Sequence, residues 1–127
     1  MNRKIITTPL APSAIGTYSQ AVLAGNTLYI SGQIPLDPAT GVLVEGSFED
    51  RAERVFLNLK AIAQAADMSL GDAVKVTVFL TDLGTFQQLN GVMERHFPAP
   101  WPARAAVQVA ALPRGTDVEV DAILVRT

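Results

Sequence analysis

At 127 residues, with 10 Lys+Arg against 12 Asp+Glu, the chain has the length of a single domain, residues 1–127, and a formal net charge of −2. The absence of Cys excludes disulfides, iron–sulfur clusters, Cys-ligated zinc and a thiol nucleophile, and a lone His excludes any two-His metal site. The acidic balance argues against a dedicated nucleic-acid binder, while 49% hydrophobic and only 17% charged residues point to surplus apolar surface of the kind that ends in a subunit interface.

Along the chain, Arg3–Thr7 reads as a short strand stopped by Pro9, and Ala11–Gln20 as a loop with fixed turns. Ala21–Leu23 and Thr27–Ser31 read as strands joined through Gly25–Asn26, two residues that tolerate positive φ. Gly32–Gly46 is read as loop, with a small hairpin around Gly41. Ser47 and Asp50 resemble a capping box, and the apolar stripe from Phe48 to Ala66 predicts an amphipathic helix. Ala73–Thr81 is β-rich. Asp82 is expected to cap a second helix running to about His96, after which Pro98, Pro100 and Pro102 forbid helix. Ala103–Val109 and Val118–Arg126 alternate as strands.

The order β-β-β-α-β-α-β-β predicts an α+β protein with two helices on one face of a mixed sheet. The opposite face is expected to carry Lys75, Thr77, Arg104, Gln108, Glu119 and Asp121. No stretch approaches the roughly 20 apolar residues of a membrane span, and Met1–Leu10 lacks a signal-peptide apolar run. A cytoplasmic protein without a membrane partner is the expectation.

Several side chains carry chemistry, each with a plainer structural use. Arg104 offers a planar fork to a carboxylate or phosphate, or a cross-strand ion pair to Glu119 or Asp121. Glu119 and Asp121, two positions apart on one strand face, can raise each other's pKa and supply a base, or form a solvated strand face. Ser31-Gly32 suits either a close backbone approach to a ligand or a simple turn. Tyr18 is a pocket hydroxyl or a loop anchor, and Asn90 a ligand hydrogen-bonder or a helix-surface residue. His96 reads as a helix C-terminal cap, Trp101 as a packed anchor between prolines, and Asp117 as a turn or strand-start residue. Without a Gly-x-Ser-x-Gly elbow, a Ser-His-Asp hydrolase is disfavoured.

Taken in order, the segments Ala11–Ala21 (APSAIGTYSQA), Ser31–Pro35 (SGQIP), Val74–Leu80 (VKVTVFL), Asp82-Leu83 through Asn90, Phe97, Pro102-Ala103-Arg104 and Val118–Ile123 (VEVDAI) resemble the RidA/YjgF family of imine deaminases over nearly the whole chain. The resemblance implies a chorismate-mutase-like homotrimer with sites in clefts between subunits. It implies hydrolysis of 2-aminoacrylate and 2-iminopropanoate-type intermediates to 2-oxo acids and ammonia, without cofactor or metal, protecting pyridoxal-phosphate enzymes. By position, Arg104 corresponds to the arginine that holds the substrate carboxylate, and Glu119 to the glutamate that places the attacking water. Tyr18, Ser31, Gly32, Asn90 and Ala106 correspond to pocket residues. Ala106 stands where the family often has Cys, so the resemblance implies a route through bound water, and Thr17 replaces a common Pro before the tyrosine. A non-enzymatic trimer that binds small carboxylates is the alternative of a different class. RNA cleavage, ascribed to some relatives, fits the charge and single His less well.

Overall fold

The strand nearest the C-terminus shows how the sheet is built. In β6 (Val118–Val125) every second side chain, Val118, Val120, Ala122 and Leu124, is buried, and those between are half-buried. One face of the strand therefore carries the core. The computed structural model describes residues 2–127. The same alternation recurs in β4 (Ala73–Leu80), where Val76, Val78 and Leu80 are buried. With β1 (Arg3–Ile6), β2 (Ala21–Ala24), β3 (Thr27–Gln33) and β5 (Ala103–Gln108), they form one six-stranded sheet in the order β1-β2-β3-β6-β4-β5. Among the described residues only the β4–β5 pair is parallel, so the sheet is mixed, and the α+β class expected from the sequence is observed.

Two helices lie on the buried face. In α1 (Phe48–Ala65) the Ser47 side chain accepts from the Asp50 N–H while the Asp50 carboxylate accepts from the Ser47 N–H, the reciprocal cap expected from the sequence. The α1 stripe of Ala52, Val55, Phe56, Leu59 and Ile62 is fully buried and packs on β3 and β6 and against α2 (Phe86–His96). Asp82 caps a 3-10 turn at Leu83–Thr85 instead of α2 itself, which begins at Phe86. A bridge between Leu36 and Leu43 forms the small hairpin around Gly41.

Three expectations are corrected. First, β3 does not stop at Ser31. It continues to Gln33 through a bulge at Ser31-Gly32, so Gly32 is a strand residue and not a turn. Second, Arg104 and Gln108 are not on the open sheet face. They pair with Val76 and Leu80, which point at the helices. Third, His96 does not cap its helix; its Nε2 lies 2.8 Å from Glu53 Oε1 on α1, and its ring stacks on Phe56 at 5.7 Å. Asp117 lies at the start of β6 as expected and has a further use. It takes both Nε and NH2 of Arg51 at 2.9 and 2.7 Å, while Arg51 NH1 donates to the Gly46 carbonyl at 2.7 Å.

The Arg51–Asp117 pair is bidentate and half-buried, and it ties the first turn of α1 to the entry of β6. Asp117→Ala leaves a partly desolvated guanidinium without its partner. We expect a loss of about 1–2 kcal/mol, seen as a Tm lower by roughly 4–8 °C in a thermal melt.

Among the described residues, no helix covers the other face of the sheet. Ile5, Tyr29 and Val107 are about half exposed there, beside Lys75, Thr77, Glu119 and Asp121.

Candidate functional site

The Arg104 end of the site forms where the parallel edge strand runs under α2. The Arg104 guanidinium lies 4.8 Å from the centroid of the Phe86 ring. Its NH1 donates to Asn90 Oδ1 at 2.8 Å and approaches Met93 Sδ at 3.6 Å. Asn90 Nδ2 donates in turn to Glu94 Oε1 one helical turn on, at 3.3 Å, which turns the Asn90 carbonyl oxygen toward the arginine. Among the described residues no carboxylate lies within 4.0 Å of Arg104. The cross-strand pair with Glu119 or Asp121 is thus absent, and the partners Arg104 does have are neutral. Nε and NH2 remain as a planar fork. The cleft beside it holds about 280 Å³ and is lined by Asn90, Met93, Glu94, Trp101, Pro102 and Arg104. Trp101 is not a packed anchor, since the residue is 58% exposed.

The Glu119 end lies elsewhere. Glu119 is opposite Phe79 on β4 and therefore on the open sheet face, the reverse of the face that carries Arg104. The β3 bulge brings Gly32 against it so closely that a Cβ on Gly32 would sit 2.0 Å from Glu119 Oε2. Gly32 is there to admit the carboxylate. Burial pushes the Glu119 carboxyl above the ordinary range, and the charge of Asp121 adds to the rise. Asp121 is also raised by burial, with a hydrogen bond from Thr77 and the Lys75 charge opposing. A cleft of about 510 Å³ opens here, lined among others by Tyr18, Ser31, Gly32 and Glu119.

The loop over this cleft is held from below. Gln20, 3% exposed, accepts from Thr8 N–H and donates to the carbonyls of Thr8, Ala11 and Pro12. The Ser31 hydroxyl donates to the Ser19 carbonyl. Ser31 thus spends its proton on the loop that carries Tyr18, an exposed residue lining the cleft. Gln20 went unremarked in the sequence, where only its place between a Pro/Gly loop and a strand could have marked it. Phe86, at the start of α2, stacks on the arginine.

The chain therefore brings Arg104 and Asn90 together in one cleft and Tyr18, Ser31, Gly32 and Glu119 in another. Ala106, opposite Val78 and packed against the core, lines neither. Among the described residues no cluster of three His, Asp or Glu side chains could hold a metal ion, and no helix is long and apolar enough to cross a membrane.

Comparison with known proteins gives the class. The family model described as endoribonuclease L-PSP matches residues 8–126. The chain belongs to this family, the RidA/YjgF family. Protein DfrA of Myxococcus xanthus is 54% identical over 127 residues, covering 98% of this chain and 97% of that protein. The 2-iminobutanoate/2-iminopropanoate deaminase of Bos taurus is 49% identical over 124 residues, covering 98% and 90%. Among solved structures, E. coli TdcF with bound serine superposes at a TM-score of 0.92 with 44% identity, covering 98% of this chain and 99% of that one.

Proposed function

We propose that the protein is an enamine/imine deaminase that hydrolyses 2-iminopropanoate-type acids to 2-oxo acids and ammonia, and that it works as a homotrimer. The observation that carries this reading is the Arg104 fork, stacked on Phe86, oriented by Asn90 and matched to no carboxylate among the described residues. Such a guanidinium suits the carboxylate that every 2-imino acid carries. The deaminase names of relatives and the serine bound to TdcF, itself an α-carboxylate, support the same chemistry.

Arg104 and Glu119 serve one substrate only if a second chain brings its Glu119 cleft to the first chain's Arg104. The uncovered sheet face with Ile5, Tyr29 and Val107 gives an apolar surface for that assembly. A head-to-tail contact that closes after three copies repeats the shared site three times. In it Arg104 fixes the carboxylate and so the imine carbon. Glu119 takes a proton from water as its oxygen adds to that carbon, and delivers a proton to nitrogen. The C–N bond of the carbinolamine then breaks as its hydroxyl proton passes through Glu119 to the departing nitrogen, leaving the 2-oxo acid and ammonia. A raised Glu119 pKa suits a group that must both accept and return a proton. Protection of pyridoxal-phosphate enzymes from such imines follows as the physiological use.

The test generates 2-iminopropanoate with an amino-acid oxidase in the presence of semicarbazide. Wild-type protein should suppress semicarbazone formation, and Arg104→Ala should not. Unchanged trapping across several imino acids overturns the deaminase reading and leaves a trimer that binds small carboxylates.

The pKa direction sets the pH profile. Water activation needs the Glu119 carboxylate, so kcat/KM should fall as pH drops through a limb displaced above the ordinary glutamate range. Asp121→Asn removes the neighbouring charge and should move that limb to lower pH. A pH–rate profile of both proteins checks the sign.

A further inference from the structure

Arg104 accounts for the carboxylate of a bound imino acid and leaves its side chain unassigned. Trp101 stands in the same cleft of about 280 Å³, with its indole more than half exposed. It comes from a segment in which Pro98, Pro100 and Pro102 each fix φ, so the ring is presented by stiff backbone only three residues before Arg104. The other apolar side chains at the arginine are already occupied: Met93 is buried against the core and Phe86 stacks on the guanidinium. Glu94 lines the cleft too and places a negative charge in it.

We infer that Trp101 is the wall that receives the substrate's side chain and sets a preference for monocarboxylate imines with branched or aromatic apolar groups. This rests on the deaminase reading for its reaction, though not for its binding chemistry. A carboxylate held on the Arg104 fork brings the α-carbon within reach of the indole face. An apolar side chain gains there by leaving water. A second carboxylate is opposed by Glu94 and finds no cation, since Arg104 is already engaged.

Imines from alanine, leucine and phenylalanine are hydrolysed by wild type and by Trp101→Ala in the semicarbazide assay, with sedimentation checking assembly. In Trp101→Ala the preference for leucine- and phenylalanine-derived imines over the alanine-derived one should fall about tenfold. Because Trp101 is the chain's only tryptophan, its fluorescence reports on this cleft alone. Titration with 4-methyl-2-oxopentanoate should change the emission at lower concentration than pyruvate does, and Arg104→Ala should abolish both responses. Equal loss on all imines, an emission blind to both oxo acids, or a trimer that dissociates on Trp101→Ala overturns the assignment. If wild type hydrolyses none of the imines while the selective fluorescence response persists, the deaminase reading fails and the side-chain wall stands.

Discussion

Replacing Arg104 by Lys is expected to lower kcat/KM for 2-iminopropanoate about a hundredfold, and replacing it by Ala about a thousandfold, with the fold intact. Lysine keeps the positive charge, so the loss isolates geometry. A single ammonium cannot present two parallel N–H donors to a carboxylate, cannot lie flat on Phe86, and cannot be oriented by Asn90 in the same way. Truncating one member of a hydrogen-bonded charge pair costs about 2–5 kcal/mol, and every 1.4 kcal/mol is about tenfold. Stability should move little, because Arg104 is exposed on an edge strand and touches only the rim of the core at Phe86 and Met93. Steady-state kinetics beside a thermal melt separates the two effects. Arg104→Lys at near wild-type kcat/KM would remove the carboxylate fork from the mechanism.

The second large effect concerns Gly32 and Glu119 together. Glu119→Gln should reduce kcat by about 10²–10⁴-fold while a 2-oxo acid still binds, since the amide neither accepts nor returns the proton. Gly32→Ala should mimic it in part. Its new Cβ would fall 2.0 Å from Glu119 Oε2 and 2.9 Å from Cδ, so the carboxylate must swing away. What it displaces is the free end of a flexible side chain, and Gly32 has no positive φ, so stability should change by less than about 1 kcal/mol. A displacement near 1 Å at a catalytic group can cost about a hundredfold, and we expect a 10- to 100-fold loss in kcat. The two variants differ in stability in a way that pH exposes. A carboxyl raised on folding contributes stability that is present below its unfolded value of 4.5 and lost as pH rises through the folded one. Glu119→Gln should therefore melt above wild type at pH 7, with the gap closing toward pH 4.5, whereas Gly32→Ala should show no such closing.

Much of this architecture is legible in the residues because alternation and helical spacing have one solution each. Val118, Val120, Ala122 and Leu124 leave no doubt which face of β6 is buried, and Ser47 with Asp50 fixes the start of α1. β5 is different. Ala-Arg-Ala-Ala-Val-Gln has no strong apolar face, and the period-2 rule assigns Arg104 to the polar side by its charge. Its pairing with Val76 decides otherwise, and an arginine can lie on an apolar edge with its head in water. Gly32 misleads in a similar way: a glycine after Ile-Ser looks like a turn, and only the β6 partner shows that the missing Cβ is room for Glu119. Asp117 and His96 find partners 66 and 43 residues away, and no local pattern announces contacts of that range. Nor does any single-strand pattern reveal that Arg104 and Glu119 lie on opposite faces, the fact on which the proposed shared site rests.

That fact sets the most direct measurement. Arg104→Ala and Glu119→Gln chains, each inactive alone, are unfolded together in equal amounts and refolded, and imine hydrolysis is measured. In a closed trimer with random mixing, roughly three quarters of the assemblies are mixed, and each has one of its three interfaces with both groups intact. Activity should return to roughly a quarter of the wild-type value. If the mixture stays as inactive as either variant while sedimentation shows mixed trimers, Arg104 and Glu119 do not share a substrate across subunits, and the shared-site mechanism is wrong.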